Sequence, residues 1–543
     1  MIGFLVPMTG AFVIKSGGIH CATVGLLLLG QILAQATDWP QYRGPVTDGS
    51  TPDPIATTWA TNSPGFVVWT NGSLTNGFST FAVSQGRAFT MMSRKVVTTN
   101  EYCACVDAAT GATLWATPID SETWDPNSVA YGGEGWPPYN KGDGPRTTPA
   151  VKDGKVFALS ARMHLVCLNA TNGSVIWSND LVSAYGATFY VYEDGASPCL
   201  DDDLCFVNLT ACTNNQTLAA FRTADGSLAW SSQNERASHA TPVVATIQGV
   251  RQVVFPTWTG LVSLDRTTGA FLWKFPYPFG QIAECLGASP LANSNIVFLT
   301  SAYGKGAAAA EITLDGGTWT ATQLYYTNAA IYQSGWSSPV CYQGFIYALG
   351  NGESFLTAPL ICFELATGKM MWTTNNFGVG GLIRVNTNLL VLTETGQLVL
   401  VQANPNAYVE LARYQALQFT AAAPGKCWIS PAFSNGRIYA RGTRGSICLD
   451  VSVPTRPPLK LLSPQFLNST QMQVTVSTAD GTPIDSNRLS GIEVRATNSP
   501  AFPPAAWPKL TNPLVLTTNG MARLTNTIQG SPSRRFFITV EPP

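Results

Sequence analysis

Few residues of this chain are equipped for chemistry. Beyond residue 36 there are two histidines, His164 and His239. A hydroxyl–imidazole–carboxylate relay would have only these two as its base. His164 lies in the strand-like stretch "RMHLVCLN", and no Gly-x-Ser-x-Gly elbow occurs, so hydrolysis is disfavoured. The run Asp201-Asp202-Asp203 offers three carboxylates in a row. It lacks the oxygen-ligand spacing of a Ca²⁺ loop and falls where the other repeats carry polar hairpin turns, so it reads as a solvated turn. No metal site is expected. The 12 cysteines include no Cys-x-x-Cys pair, which argues against a zinc ribbon or a thioredoxin-like centre. Cys105, Cys167, Cys362 and Cys448 share one place in a repeat where Ser263 and Ala220 also stand. That is a packing slot for a small side chain. Cys199, Cys205 and Cys212 are the better disulfide candidates. Only 12% of residues are charged, with a net charge of −1 and no basic stripe, so a nucleic-acid partner is not expected.

The elements that must position any site announce themselves by repetition. "CVDAATGATLW" at 105–115 recurs as "CLNATNGSVIW", "AFRTADGSLAW", "SLDRTTGAFLW" and "CFELATGKMMW". Each copy reads as a strand, a tight Asp/Asn-led turn closed by glycine, and a returning strand. Trp69, Trp115, Trp177, Trp230, Trp273 and Trp372 each follow such a glycine by four residues, a register at which a flat ring can dock one sheet on the next. A second landmark, Ser/Thr-Pro, recurs at Pro149, Pro198, Pro242, Pro290, Pro339 and Pro431. The last step is a double one. The unit within it, "GLIRVNTNLLVLTETGQLVLV", lacks the proline, as does "FSTFAVSQGRAFTMMS" ahead of the first. The count is eight units, each long enough for four short strands, which predicts an all-β, eight-bladed propeller. The last unit has no closing tryptophan strand, whereas "GFVVWTN" at 65–71 has the strand and no unit. We expect 65–71 to complete the last blade.

The repeat, together with the opening "DWPQYRGPVTDG" at 38–49, resembles the pyrroloquinoline-quinone-like (PQQ-like) propeller repeat proteins. The resemblance covers residues 38–452 and extends to "GVRQVVFPTWTGLVSLD" and "GKCWISPAFSNGRIYAR". It points to the exported type common in planctomycete and verrucomicrobial bacteria. The superfamily includes quinoprotein alcohol and glucose dehydrogenases and a cofactor-free assembly lipoprotein of the outer-membrane barrel machinery. In the dehydrogenases Ca²⁺ and quinone share the central funnel, held by a Glu and an Asn, with an Asp as base. Matching motifs for these are not found here, and Cys103-Ala-Cys105 is the nearest thing to the adjacent cysteines of the alcohol enzymes. No catalytic residue is therefore assigned.

Repeat register names a ring where the innermost strands begin: Phe78, Arg146, Gly195, His239, Gly287, Trp336, Gly380 and Trp428. These residues crowd one mouth of the channel. The composition is compatible with a plug of the axis and equally with a binding mouth for a small molecule, glycan or protein, next to the polar and aromatic insertion "YGGEGWPPYNKGDGPR" at 131–146. Phe78, Arg146, His239, Trp336 and Trp428 are the candidate ligand-binding residues.

The chain's organisation completes the expectation. Lys15 and His20 precede the apolar run "ATVGLLLLGQIL", followed by Ala34-Gln35-Ala36, a small-x-small cleavage signal. Residues 1–36 read as an export signal and 37–64 as a lead-in. The propeller follows over 65–452, a Pro-rich linker over 453–460, and a small β-sandwich over 461–543. Such a chain is expected in the periplasm, at the cell surface or secreted, as a monomer without a transmembrane segment after the signal. The favoured function is non-catalytic binding or scaffolding. A PQQ- and Ca²⁺-dependent oxidoreductase acting on alcohols or sugars is the alternative.

Overall fold

The computed structural model describes residues 37–95, 99–121, 144–188, 194–282, 286–350, 356–419, 425–453, 457, 459–462, 464–468, 470–497, 507–527 and 536–540. The chain divides into two compact units, one ending at Val453 and the other beginning at Pro454.

The first unit contains eight four-stranded sheets that follow the sequence repeats. Blade 1 is built from Ala82–Ser84, Arg87–Lys95, Thr99–Asp107 and Thr113–Asp120, each antiparallel to the next. The inner strands of blades 2 to 8 are Ala150–Lys152, Cys199–Asp201, Val243–Ile247, Leu291–Asn293, Val340–Tyr342, Gly381–Val385 and Ala432–Ser434. The repeating prolines stand at or just before the start of these strands. They are tolerated there because an inner strand has a free edge on which no ladder N–H is required. Second strands such as Lys155–Leu159 are buried at nearly every position, since both faces of a blade are covered by neighbours.

The repeated eleven residues form the contact between blades. Asp107 Oδ1 accepts from Ala109 N and Thr110 N, and Asp265 Oδ1 does the same for Thr267 and Thr268. The turn ends at a glycine with φ near +71°, as at Gly111 and Gly269. The tryptophan of the preceding blade lies flat on that glycine. A Cβ on Gly111 would stand 2.6 Å from the Trp69 ring, and one on Gly269 2.6 Å from Trp230. The indole N–H then caps a turn carbonyl. Trp69 donates to Ala108 O, Trp115 to Ala170 O, Trp177 to Thr223 O and Trp230 to Arg266 O. Glycine is thus required twice, by its φ and by the ring above it.

Blade 5 departs from this rule. Its third and fourth strands are a long hairpin, Gly306–Asp315 and Thr318–Thr327, without the Asp-led turn. Trp273 of blade 4 therefore donates to Gln252 Oε1 of its own blade. Tyr325 takes the tryptophan's place over Gly368 of blade 6.

Blade 8 contributes Ala432–Ser434, Arg437–Gly442 and Gly445–Asp450, and its fourth strand is Val67–Asn71, antiparallel to Gly445–Asp450. Tyr439 and Ile447 of blade 8 share an apolar cluster with Phe81 and Val106 of blade 1. Arg441 crosses between these two blades. It is 1% exposed and donates to Ser79 O, Thr90 Oγ1, Met91 O, Thr75 O and Asn76 O. All five acceptors are neutral, and burial pushes the guanidinium down to about 9.

The second unit is a β-sheet region. Leu459–Leu461, Gln471–Thr478, Ala522–Thr527 and Val515–Leu516 form one sheet, with Gln465–Phe466 added on Gln471–Thr478. Glu493–Thr497 pairs with Phe536–Val540. Gln471–Thr478 alternates buried and half-buried residues, as a strand with one apolar face must. Met472, Val474 and Val476 share a core with Val494 and Phe537 of the two-stranded sheet.

Candidate functional site

The ring positions named from the repeat meet as a chain of contacts. Phe78 N donates to Pro145 O, beside half-buried Arg146. The Phe78 and Trp428 rings stack 5.4 Å apart at 10°, and Trp336 packs on Trp428 at 5.0 Å. Trp336 also touches the position of Gly287, which borders His239, and His239 borders Gly195. A Cβ on Gly195 would stand 2.9 Å from His239, so glycine is what lets that imidazole sit there. The result is a two-sided mouth. Blades 1, 6 and 8 supply aromatic rings, while blades 3 to 5 supply small residues and one histidine.

Other contributors to the mouth are invisible in the repeat. Lys426 Nζ lies 4.3 Å from the Trp428 ring centroid and 5.6 Å from that of Phe78, on a residue only 3% exposed. Glu394 is buried in the loop between two strands of blade 7. Its Oε1 accepts from Trp428 Nε1 at 2.9 Å, and its Oε2 accepts from Leu356 N and Val379 N. Asp194 immediately precedes Gly195 and is 7% exposed. Burial raises it to about 7, against the opposing pull of the Ala196 and Gly195 N–H groups. No repeated motif marks these three. Each acts on a neighbouring blade through loop backbone or ring faces, so spacing within one unit could not reveal them.

The remaining candidates separate. His164 Nδ1 is 4.0 Å from Asp120 Oδ2, but Ser160 Oγ donates to that same oxygen at 2.7 Å and accepts from His164 N. The hydroxyl is a staple of a strand-to-strand loop, with no imidazole placed to take its proton. The Asp201–Asp203 turn is not simply solvated. Asp201 pairs with Arg251 and, at 2.7 Å, with Arg266; Arg266 also reaches Asp202 and Asp203 at 3.1 Å. It clamps blade 3 to blade 4. The disulfide expectation is corrected. Cys199 and Cys205 lie on opposite faces of blade 3, one packed with Val253 and the other with Phe157, and Cys212 stands in a loop. All three are free thiols. Cys105, Cys167, Cys362 and Cys448 are fully buried, and burial pushes the Cys167 thiol up to about 11, so these sulfurs are inert. Residues 131–143 of the polar insertion lie outside the described residues.

The opposite end of the inner strands is covered by the lead-in, whose motif residues each have a task. Trp39 N donates to Val83 O and Val83 N to Trp39 O, on the free edge of blade 1. Val151 N of blade 2 donates to Pro40 O. Gln41 then uses its side-chain amide as a peptide group: Leu200 N of blade 3 donates to Oε1, and Nε2 donates to Leu200 O. The Thr47 hydroxyl does the same for Val244 of blade 4, accepting from its N and donating to its O. Arg43, buried, reaches Pro339 O beside blade 6. Ser50–Thr51 pairs in parallel with Gly381–Val385 of blade 7. Arg43 and Thr47 adopt φ of 65° and 58°, a conformation that side chains resist and that this many bonds over-determine. Free strand edges invite pairing with foreign strands, and here one segment of the same chain occupies those of blades 1 to 4 and 7.

Eight four-stranded sheets, five of their contacts made by a ring on a turn glycine, define an all-β propeller of the PQQ-like type. A family model described as "Outer membrane protein assembly factor BamB" matches residues 99–374, half of the chain, and the protein belongs to this family of PQQ-like β-propeller repeat proteins. A search of the curated proteins found no match. Among solved structures the chain is similar to the quinohemoprotein alcohol dehydrogenase from Comamonas testosteroni, with 13% identity, a TM-score of 0.52, and coverage of 83% of this chain and 84% of that one. It is also similar to quinohemoprotein alcohol dehydrogenase ADHIIG from Pseudomonas putida HK5, with 12% identity, a TM-score of 0.50, and coverage of 80% and 83%. BamB from Moraxella catarrhalis aligns at 14% identity and a TM-score of 0.47, over 73% of this chain and all of that one. At such identities the likeness is one of fold.

The residues at the mouth do not fit a Ca²⁺–quinone pair. The carboxylate against the aromatic cluster, Glu394, has both oxygens committed to N–H donors. Phe78 and Trp428 spend their facing surfaces on each other. Among the described residues, no group of three or more His, Cys, Asp or Glu is placed to hold a metal ion.

Proposed function

We propose that this protein is an exported, non-catalytic propeller that binds or scaffolds a partner at its aromatic mouth, in the bacterial periplasm or at the cell surface. The observation that supports the reading is the commitment of Glu394: the carboxylate against the aromatic cluster holds the Trp428 ring to the Leu356 and Val379 backbone, which leaves neither of its oxygens free for chemistry. Flat rings on one side and glycines on the other suit a small molecule, glycan or peptide segment with an apolar face. The family's description as an outer-membrane assembly factor supports scaffolding in the envelope. On this reading the eight sheets close as a ring. Trp69, Arg441 and the cluster shared by blades 8 and 1 support that seam. Residues 453–460 then act as a linker to a C-terminal sandwich. The apolar run and the Ala34-Gln35-Ala36 signal support export.

The test is thermal stability and tryptophan fluorescence of the purified protein titrated with PQQ plus Ca²⁺, and with oligosaccharide and peptide panels. We expect no response to the cofactor, and a panel member that raises Tm in the wild type but not in Trp428→Ala. A Ca²⁺-dependent rise in Tm with PQQ overturns the non-catalytic reading.

A further inference from the structure

We propose that Asp53 is a built-in receptor for a new amino terminus, released by proteolysis between Ala36 and Thr37. This rests on the export reading above and adds a processing site and a purpose for it. The geometry comes from the far side of the bond. Thr37 N donates to Asp53 Oδ2 at 2.9 Å, and Thr37 Oγ1 donates to Asp53 Oδ1 at 2.8 Å. Both carboxylate oxygens therefore face a single residue.

Asp53 is 7% exposed, and among the described residues no Lys, Arg or His side chain pairs with it. A buried carboxylate without a counter-charge is costly to keep. Hydrolysis of the Ala36–Thr37 amide by an export peptidase of small-x-small preference supplies one. Water adds to the Ala36 carbonyl carbon, the C–N bond breaks, and Thr37 departs as an amine that takes up a proton. The ammonium replaces a neutral N–H at the position already bonded to Asp53, so that a hydrogen bond charged on the acceptor side alone becomes one charged on both sides.

Both ends of the contact are fixed by the sheets. On one side Ser84 Oγ donates to Asp38 Oδ2 and Trp39 is paired with Val83 of blade 1. On the other, Asp53 follows Thr51, which is in register with Val385 of blade 7. Cleavage thus locks the first mature residue to the far end of the lead-in.

Two measurements decide. Amino-terminal sequencing and intact mass of the protein recovered from the periplasm are expected to give Thr37. Another start site overturns the proposal and leaves export standing. Unprocessed chain retained in the cytoplasm overturns export, and this proposal with it. Second, amide exchange at Val83 and Val151, whose N–H groups bond Trp39 and Pro40, reports docking of the lead-in. In the chain starting at Thr37, Asp53→Asn is expected to speed that exchange about tenfold; with one extra residue ahead of Thr37 the same change costs about twofold. Equal acceleration in both chains means that Asp53 serves only as a neutral acceptor, and overturns the charge role.

Discussion

The two ends of the inner strands solve the same geometric problem in opposite ways. At the lead-in end, polar groups reach the free edges and satisfy them nearly one by one, with Gln41 and Thr47 standing in for peptide groups. At the mouth, Phe78, Trp336 and Trp428 fill one side by ring contact, and Gly195 and Gly287 hold the other side small. One end is specified by directional bonds. The other is specified by shape, and it keeps buried ionisable groups in hand. On the proposed reading, structural and ligand-binding duties are thereby divided between ends rather than between blades.

The division can be broken most severely at Trp39. It is 1% exposed, and its ring also packs on Gly44. Trp39→Ala is expected to cost about 3–5 kcal/mol in chemical denaturation, with Trp428→Ala, on a half-buried ring, costing markedly less. Equal losses would erase the contrast. A smaller effect is expected at Gln41. Replacing it by methionine keeps the volume but orphans Leu200 N and Leu200 O, for about 1–3 kcal/mol in the same assay. The mildest probe belongs to the mouth. Asp194 titrates near 7 in the fold, above its unfolded value, so the native state binds the extra proton between the two. Stability should therefore fall as pH rises from about 4 to about 7 and level off above, by at most about 1.4 kcal/mol per pH unit. Asp194→Asn should flatten that slope in pH-dependent melts.

What the sequence disclosed follows the same line. The eight units and their ring-on-glycine contacts were legible because each is written several times at a fixed offset, as in Gly111–Trp115 and Gly173–Trp177. Trp273 broke the pattern because its partner turn in blade 5 was replaced by a hairpin, a change in the next unit rather than its own. Cys199 and Cys205 looked pairable because they stand outside the repeated packing slot, but strand pleating sends them to opposite faces. The lead-in was legible as a motif and opaque as a structure. Each of its residues meets a different blade, so no periodicity exists to read. Lys426, Glu394 and Asp194 were hidden for the same reason.

Blade 8 carries one more consequence, for the time course of assembly. Its fourth strand, Val67–Asn71, precedes all eight repeats in the chain, while its partner Gly445–Asp450 comes after nearly all of them. A ribosome or a translocation pore delivers the first strand early and its partner last. Every intermediate between holds an orphan strand and a lead-in with nothing to cover. Folding to completion must therefore wait for the whole propeller sequence to arrive, which makes this pairing slow by its sequence separation and leaves the unfinished chain dependent on protection from aggregation.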